Sequence, residues 1–174
     1  MSCVNSPNLS SSVDTVLYMY YGNPQAPNQQ NVTGTWDADF MGVLHLNNDP
    51  SASAPQMKDS TAKSSDGTTS GNMTSSDQVS GKIGIALELD GTNDHITGKI
   101  AGSPPAEYTL QAWIKRSTTA YPEDHIVELY RMQFFVESND KLEAGTSREF
   151  DINGPNSISA NTWYHAVYVQ TASG

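Results

Sequence analysis

The chain has 174 residues, of which 19 are Asp or Glu and nine are Lys or Arg, giving a formal net charge of −10. The basic residues are scattered, which argues against binding to nucleic acid or to an anionic membrane surface, since both partners require a basic patch. No apolar run approaches the roughly 20 residues that span a bilayer, and the single cysteine, Cys3, excludes an internal disulfide.

The N-terminal part begins with a Ser-, Asn- and Pro-rich stretch that lacks the basic and apolar regions of a signal peptide. Val13 to Tyr21 is apolar at most positions, which predicts a strand buried on both sides or lying at a sheet edge. Gln25 to Thr35 contains a proline and a run of amides and is predicted to be a connecting loop, because no helical period is present.

The next segments alternate between apolar and polar composition. Phe40 to Leu46 predicts a second strand, with Phe40, Val43 or Leu44, and Leu46 facing inward. Asn47 to Asp77 is polar and fits either a disordered linker or long rim loops with one or two short strands. The core-like stretch that follows favours the ordered loops.

The rest of the predicted fold is organised around the stretch Gly81 to Ile96, which combines a strand pattern with a turn. Its apolar residues recur at every second position, which puts one face of a strand on a core. A compact turn, Asp90 to Asp94, follows, and Gly91 gives this turn the backbone freedom that other residues lack. The predicted inward set is Ile83, Ile85, Leu87 and Leu89.

The C-terminal half carries several short strand patterns separated by turns. Tyr108 to Ile114 predicts a strand with Leu110, Ala112 and Ile114 on one face, and Thr118 to Asp124 predicts a turn. Two strands close together, His125–Tyr130 and Met132–Val136, and a strong strand, Trp163–Val169, follow. Trp113 and Trp163 have apolar neighbours and are predicted to lie in the core. This spacing of short strands is typical of an antiparallel β-sandwich.

Three segments together resemble the laminin-G-like domains of the concanavalin A-like lectin and glucanase superfamily. They are GKIGIALELDGTND at 81–94, YTLQAWIK at 108–115 and NTWYHAV at 161–167. Upstream, Leu17–Pro24 and Phe40–Leu46 resemble the end of an uncharacterised domain that precedes such modules in bacterial surface or periplasmic proteins.

The resemblance implies an all-β fold, an antiparallel β-sandwich of the concanavalin A-like jelly-roll type. It assigns residues 1–35 to a tail and the end of a preceding domain, and residues 36–174 to the sandwich. The family's closing strands have no counterpart after Trp163–Val169, so the sandwich is expected to be truncated. Unpaired sheet edges would then favour a homo-oligomer.

The resemblance also implies a function. It is that of a non-catalytic module for binding carbohydrate or protein, or for adhesion, in a larger exported bacterial protein at the cell surface, outside the cell or in the periplasm. The expected partner is a glycan or a cell-surface protein. Two alternatives stay open: a structural spacer without ligand, and a glycoside hydrolase of the glucanase type.

One pair of carboxyl groups is a candidate for catalysis: Glu88 and Asp90, which share a strand face at i, i+2. The glucanase pattern has a third acid after this pair, whereas Gly91 and Thr92 follow here. Glu88 is therefore predicted to face solvent and Asp90 to cap a turn, and the chain is not expected to be an enzyme.

Two further sets of residues are candidates for binding. Asp90, Asn93 and Asp94 offer oxygen ligands within one turn. The resemblance implies a calcium site of the kind found in laminin-G-like relatives, which Asp59, with Asp66 as a second loop acid, would complete. The alternative is an Asp/Asn turn without an ion. Trp36, Tyr121 and Tyr130 are the aromatic residues nearest to loops, so they are the candidate ligand contacts. His45 and His165 occupy apolar strands and are predicted to be core or half-buried histidines.

Overall fold

The computed structural model describes residues 9–18, 20–28, 31–100, 102, 105–117, 123–129, 132–146 and 149–172. Contacts within the chain form two compact units, Met1–Gly102 (unit 1) and Ser103–Gly174 (unit 2). The expected boundary at residues 35 and 36 stays a prediction. Among the described residues, no helix has the length and apolar character needed to cross a membrane.

Unit 1 is built from short elements. A single helical turn, α1 (Val32–Thr35), is followed by the strands β1 (Gly67–Ser70), β2 (Gln78–Ser80), β3 (Ile85–Leu87) and β4 (His95–Gly98). β1 pairs with β4 and β2 pairs with β3, and both pairs are antiparallel. The sequence pattern gave no signal for α1, which begins where the Asn31 side chain accepts a hydrogen bond from the Gly34 amide at 2.9 Å.

The polar stretch Asn47 to Asp77 is ordered. The prediction of ordered loops, and not a disordered linker, is therefore confirmed. A bridge joins Met57 to Gly67, with both backbone hydrogen bonds at 2.8–2.9 Å, and Met57 is fully buried. A 3-10 turn at Ser75–Asp77 is capped by Thr74, whose hydroxyl accepts from the Ser76 amide while Asp77 accepts from the Thr74 amide. Side-chain to backbone hydrogen bonds therefore replace the missing apolar residues as the source of order.

Two strand predictions for the N-terminal part are wrong. Val13 to Tyr21 has no strand partner among the described residues, and its large apolar side chains are 63–93% exposed. Phe40 to Leu46 forms one isolated bridge, Leu44 to Asp59, and no strand. The Val43 amide donates to the Asp59 side chain at 2.8 Å and so is not paired with a neighbouring strand. Phe40 from its predicted inward set is exposed.

The prediction for Gly81 to Ile96 is also wrong in part. Of the alternating run Ile83 to Leu89, only Ile85–Leu87 forms a strand, and Ile83, Ile85 and Leu89 are 46–50% exposed. Gly84 has φ +68°, and its carbonyl accepts from the Gly81 amide at 2.8 Å, so a tight turn interrupts the extended run. The turn after it is confirmed, with Gly91 at φ +70°.

The described residues of unit 2 form six strands in two antiparallel sheets. The strands β6 (Glu123–Leu129), β7 (Met132–Glu137), β8 (Lys141–Thr146) and β9 (Glu149–Ser157) form one sheet in chain order. β5 (Tyr108–Ile114) and β10 (Tyr164–Gln170) form the other. Glu123 and Asp124 belong to β6 and not to the predicted turn, whose residues 118–122 lie outside the described part of the chain.

The core of unit 2 lies between these two sheets. The larger sheet contributes Met132, Phe134 and Ala144, and β10 contributes Ala166 and Tyr168. Leu110 and Ile114 of β5 pack against this cluster, as their predicted strand face requires. The fold is thus all-β and antiparallel, with two facing layers of the concanavalin A-like sandwich type, and the predicted fold class is confirmed.

A bulge interrupts the pairing of β6 with β7. His125 pairs with Phe135, whereas Val127 pairs with Phe134, so Ile126 is an extra residue on β6. The imidazole of His125 stacks on the Phe135 ring, with centroids 5.4 Å apart, while Ile126 packs against the core.

One end of unit 2 is held together by Arg116, whose side chain is only 5% exposed. Its Nε donates to Asp124 Oδ2 at 2.6 Å and its Nη1 donates to Asp140 Oδ1 at 2.8 Å. Its carbonyl accepts from the Asn161 amide at 2.7 Å. The guanidinium group thereby joins the start of β6 to the β7–β8 turn, and the backbone carbonyl of the same residue binds the loop before β10.

Candidate functional site

The outer face of the β5–β10 pair is the surface of unit 2 with the most exposed aromatic and apolar side chains. Because Leu110, Ala112 and Ile114 of β5 face the core, the residues between them point outward. On β10, Ala166 and Tyr168 are buried, so His165, Val167 and Val169 point outward. We call the outward residues the outer face: Thr109, Gln111, Trp113, Lys115, Trp163, His165, Val167 and Val169.

Trp113 lies at the centre of the aromatic part of this face. It pairs directly with His165 across the two strands, and the two rings stack with centroids 5.2 Å apart and planes inclined by 29°. The indole is nevertheless 43% exposed. The prediction that Trp113 lies in the core is therefore wrong, and so is the prediction of a core or half-buried His165, which is exposed.

The neighbouring row of the same face combines an aromatic ring and a cation. The Lys115 ammonium lies 5.4 Å from the centroid of the Trp163 ring, within the distance of a cation–π contact. Trp163 is half-buried below this lysine, so it is not the core residue that the sequence predicted. On the other side of Trp113, Gln111 pairs with Val167 and Thr109 pairs with Val169.

Of the three aromatic residues predicted to contact a ligand, the one that the structure describes, Trp36, does not lie on this face. Trp36 belongs to unit 1, where its ring packs edge-on against Phe40 with centroids 5.0 Å apart and near His45 at 6.2 Å. Tyr121 and Tyr130 lie outside the described residues. Trp36 is half-buried while His45, predicted to be at least half-buried, is exposed.

The carboxyl pair considered for catalysis is arranged as a turn. Glu88 and Asp90 lie beyond the end of β3 and both are exposed. Asp90 Oδ1 accepts hydrogen bonds from the amides of Thr92 at 2.8 Å and Asn93 at 3.1 Å, and these bonds lower the pKa of Asp90. A general acid of a glycosidase requires a raised pKa, so Asp90 is poorly suited to that role.

The same hydrogen bonds bear on the candidate calcium ligands. Besides the contacts of Asp90, Asp94 Oδ2 accepts from the Asp90 amide at 3.1 Å. Asp94 Oδ1 is buried without a hydrogen-bond partner and lies where a Cβ at Gly71 would be, close to Asn93 Oδ1. Asp94 Oδ1 accepts no hydrogen bond from a backbone amide, whereas Asp90 Oδ1 and Asp94 Oδ2 each accept at least one.

Asp59, the fourth candidate ligand, serves as a structural anchor for its loop. Its Oδ1 accepts from the amides of Val43 at 2.8 Å and Thr61 at 3.0 Å, and its Oδ2 accepts from the Thr61 hydroxyl at 2.7 Å and the Ser65 amide at 2.8 Å. Burial alone would raise the pKa of Asp59, but these hydrogen bonds outweigh it and lower the pKa.

As arranged, several of these oxygens already accept hydrogen bonds from their own loops. Within the described part of the chain, no three His, Cys, Asp or Glu side chains come close enough to hold a metal ion together. A cation at the Asp90–Asp94 turn would have to displace backbone amides from Asp90, and Asp59 would have to release its loop. Calcium binding stays a prediction, and it would require these rearrangements.

The comparisons with known proteins identify one family. Residues 90–174, which include all of unit 2, match a laminin G model described as the concanavalin A-like lectin/glucanases superfamily. No curated protein and no solved structure matches the chain. The match supports a binding module at the level of the family, while the uncharacterised domain expected before it has no match.

Proposed function

We propose that unit 2 is a non-catalytic carbohydrate-binding module and that the outer face of the β5–β10 pair is its ligand surface. The observation that supports this proposal is the exposed indole of Trp113, stacked on His165, within the segment that matches a superfamily of lectins and glucanases.

The chemistry of this face suits a sugar ring. A pyranose has a face of C–H groups that packs on an indole ring, and hydroxyl groups around its rim that need polar partners. Trp113 offers the ring, and its stack on His165 restricts the orientation of the indole before a ligand arrives. Gln111 and Thr109 lie on the same face and offer donors and acceptors for hydroxyl groups.

The proposal excludes catalysis for the pair Glu88 and Asp90. Both carboxyl groups are exposed, and Asp90 is engaged by the amides of its own turn. Hydrolysis of β-glucans by the wild-type chain, lost in Glu88→Gln, would instead support the glucanase alternative.

Affinity electrophoresis through gels that contain neutral or acidic polysaccharides tests the proposal. Wild-type chain is expected to be retarded by at least one polymer. The affinity of Trp113→Ala for that polymer is expected to be lower by a factor of up to about ten. Trp36→Ala is the matched control, because it removes a tryptophan from unit 1 and should leave retardation unchanged. Equal retardation of wild type and Trp113→Ala would overturn the proposed ligand surface. No retardation by any polymer, with an intact fold, would favour the spacer alternative.

A second candidate function is binding to a protein, and Val13 to Tyr21 favours it. Six described side chains of this segment are large, apolar and 63–93% exposed: Val13, Val16, Leu17, Tyr18, Tyr20 and Tyr21. Exposed apolar residues in an extended segment are suited to adding a strand to another sheet. We expect Leu17→Asp together with Tyr20→Asp to abolish protein capture or self-association without affecting glycan retardation.

We further propose, from the resemblance, that the module acts outside the cell, at its surface or in the periplasm, as part of an exported bacterial protein. Self-association through unpaired sheet edges is part of the same proposal and is tested by light scattering at increasing protein concentration. Calcium is tested by calorimetric titration, in which Asp94→Asn should remove any heat of binding.

A further inference from the structure

The eight residues of the outer face include no acidic side chain, although the chain carries 19 acidic and nine basic residues. The next residue of the same parity, Glu107, lies beyond Thr109 at the end away from Lys115, where it accepts a hydrogen bond from the Ala172 amide at 3.3 Å. The strands Tyr108–Ile114 and Tyr164–Gln170 contain no Asp or Glu at all. The charged groups on this face are the Lys115 ammonium and, when protonated, His165. The face is therefore locally neutral to cationic on a protein whose net charge is −10.

Lys115 is held in place beside Trp113. The two residues are two positions apart along the strand direction, so their Cα atoms are separated by roughly 7 Å on one face. The Trp163 ring lies 5.4 Å below the ammonium and restrains it, while the N–H groups that point away from the ring face solvent. A lysine restrained in this way loses less conformational entropy when it binds an anion.

We infer that the ligand is an acidic polysaccharide built from uronic acids, with one sugar ring on Trp113 and a carboxylate on Lys115. This inference rests on the proposed function, because it specifies the ligand class of the same surface. A neutral glycan would use Trp113 but leave the ammonium without a partner. A uronate satisfies both, since each ring carries an apolar C–H face and a carboxylate on its rim.

The single permanent cation of the outer face limits which polyanions it favours. At physiological ionic strength, charges more than about 8 Å apart are largely screened, so the local face decides the interaction more than the net charge does. A polymer of higher charge density finds no further permanent cation on this face. One carboxylate per sugar fits a face with one permanent cation.

The test compares polygalacturonate with the same polymer after methyl esterification, which removes the charge and keeps the sugar chain. Affinity electrophoresis is run at physiological ionic strength with EDTA, so that divalent cations do not bridge protein and polymer. Wild type is expected to bind polygalacturonate about three- to tenfold more tightly than its ester. Lys115→Met should remove this preference, because its affinity for polygalacturonate should fall to about its affinity for the ester. Lys99→Met makes the same charge change in unit 1 and should keep the preference.

The outcomes separate this inference from the proposed function. Equal binding of the two polymers by wild type, or an unchanged preference in Lys115→Met, would overturn the uronate inference. The carbohydrate-binding proposal would survive that result if Trp113→Ala still lost binding. Full binding of both polymers by Trp113→Ala would overturn both. If neither polymer retards wild type, the uronate inference fails, and the neutral polysaccharides decide the proposed function.

Discussion

The indole of Trp113 and the imidazole of His165 stack on each other directly across the β5–β10 pair, on the side that faces away from the core. A cross-strand aromatic pair of this kind contributes about 1 kcal/mol or less to folding. Its position on an exposed face means that its removal should change binding more than it changes folding.

We expect Trp113→Ala to lower the free energy of unfolding by about 1 kcal/mol or less. Phe134→Ala, the matched aromatic truncation in the core, should lower it by about 3–5 kcal/mol, because Phe134 is 2% exposed and its loss leaves a cavity. Urea unfolding followed by circular dichroism measures both. Similar losses for the two variants would contradict the assignment of Trp113 to the surface.

Arg116 should be important for the stability of unit 2. Arg116→Met leaves Asp124 and Asp140 without their shared cation, and we expect a loss of about 2–3 kcal/mol. The loss stays below that of a fully buried pair because the two aspartates are 35–36% exposed and can bind water. Arg116→Lys should restore less than half of it, because one ammonium cannot reproduce two divergent N–H contacts. Full stability of Arg116→Lys in urea unfolding would contradict this role.

The Asp59 network should make the folding of unit 1 sensitive to acid. Its pKa is lowered in the folded chain, so its stabilising contribution is complete above the unfolded pKa of about 4 and is lost as pH falls through the lower folded pKa. We expect Asp59→Asn to cost about 2 kcal/mol at neutral pH, and this difference from wild type to shrink on acidification. Urea midpoints between neutral pH and about pH 2 measure it. A difference independent of pH would indicate that the charge of Asp59 does not matter.

Gly71 should tolerate a side chain less well than Gly91. Both have positive φ, +94° and +70°, so alanine costs about 1–2 kcal/mol of backbone strain at either site. A Cβ at Gly71 would also collide with Asp94 Oδ1 and lie 2.9 Å from Asp94 Cα, whereas the space around Gly91 is open. We therefore expect Gly71→Ala to lower the free energy of unfolding by about 1–3 kcal/mol more than Gly91→Ala does. Thermal unfolding of the two variants, measured side by side, checks this difference.

The sequence pattern was sufficient to predict β5, β6, β7 and β10, whose apolar residues recur along each strand, but it did not predict β8 or β9, which are more polar. It also failed to predict which face of β10 is buried. Residues of both parities are apolar there, and the large Trp163, Val167 and Val169 outweighed the small Ala166, which is fully buried. The position of Trp113 was available from its own strand, since Leu110, Ala112 and Ile114 inward require Trp113 outward.

Unit 1 was harder to predict because hydrogen bonds of side chains, and not apolar periodicity, determine its backbone. Asp59 binds two segments that are far from each other along the chain, Val43 and Ser65, and such a contact leaves no periodic signal. Gly84 interrupts an apolar alternation that otherwise predicts a full strand. The candidate ligand surface could not be found from residue types alone, because Trp163 and Lys115 meet only once β5 and β10 are paired.

The extra residue Ile126 gives β6 an unusual tolerance for a change in chain length. Because His125 already opposes Phe135 and Val127 already opposes Phe134, deletion of Ile126 would restore regular pairing without turning any other side chain over. A one-residue deletion elsewhere in a strand normally exchanges its inner and outer faces. This chain can therefore lose one residue at this point and keep both layers in register.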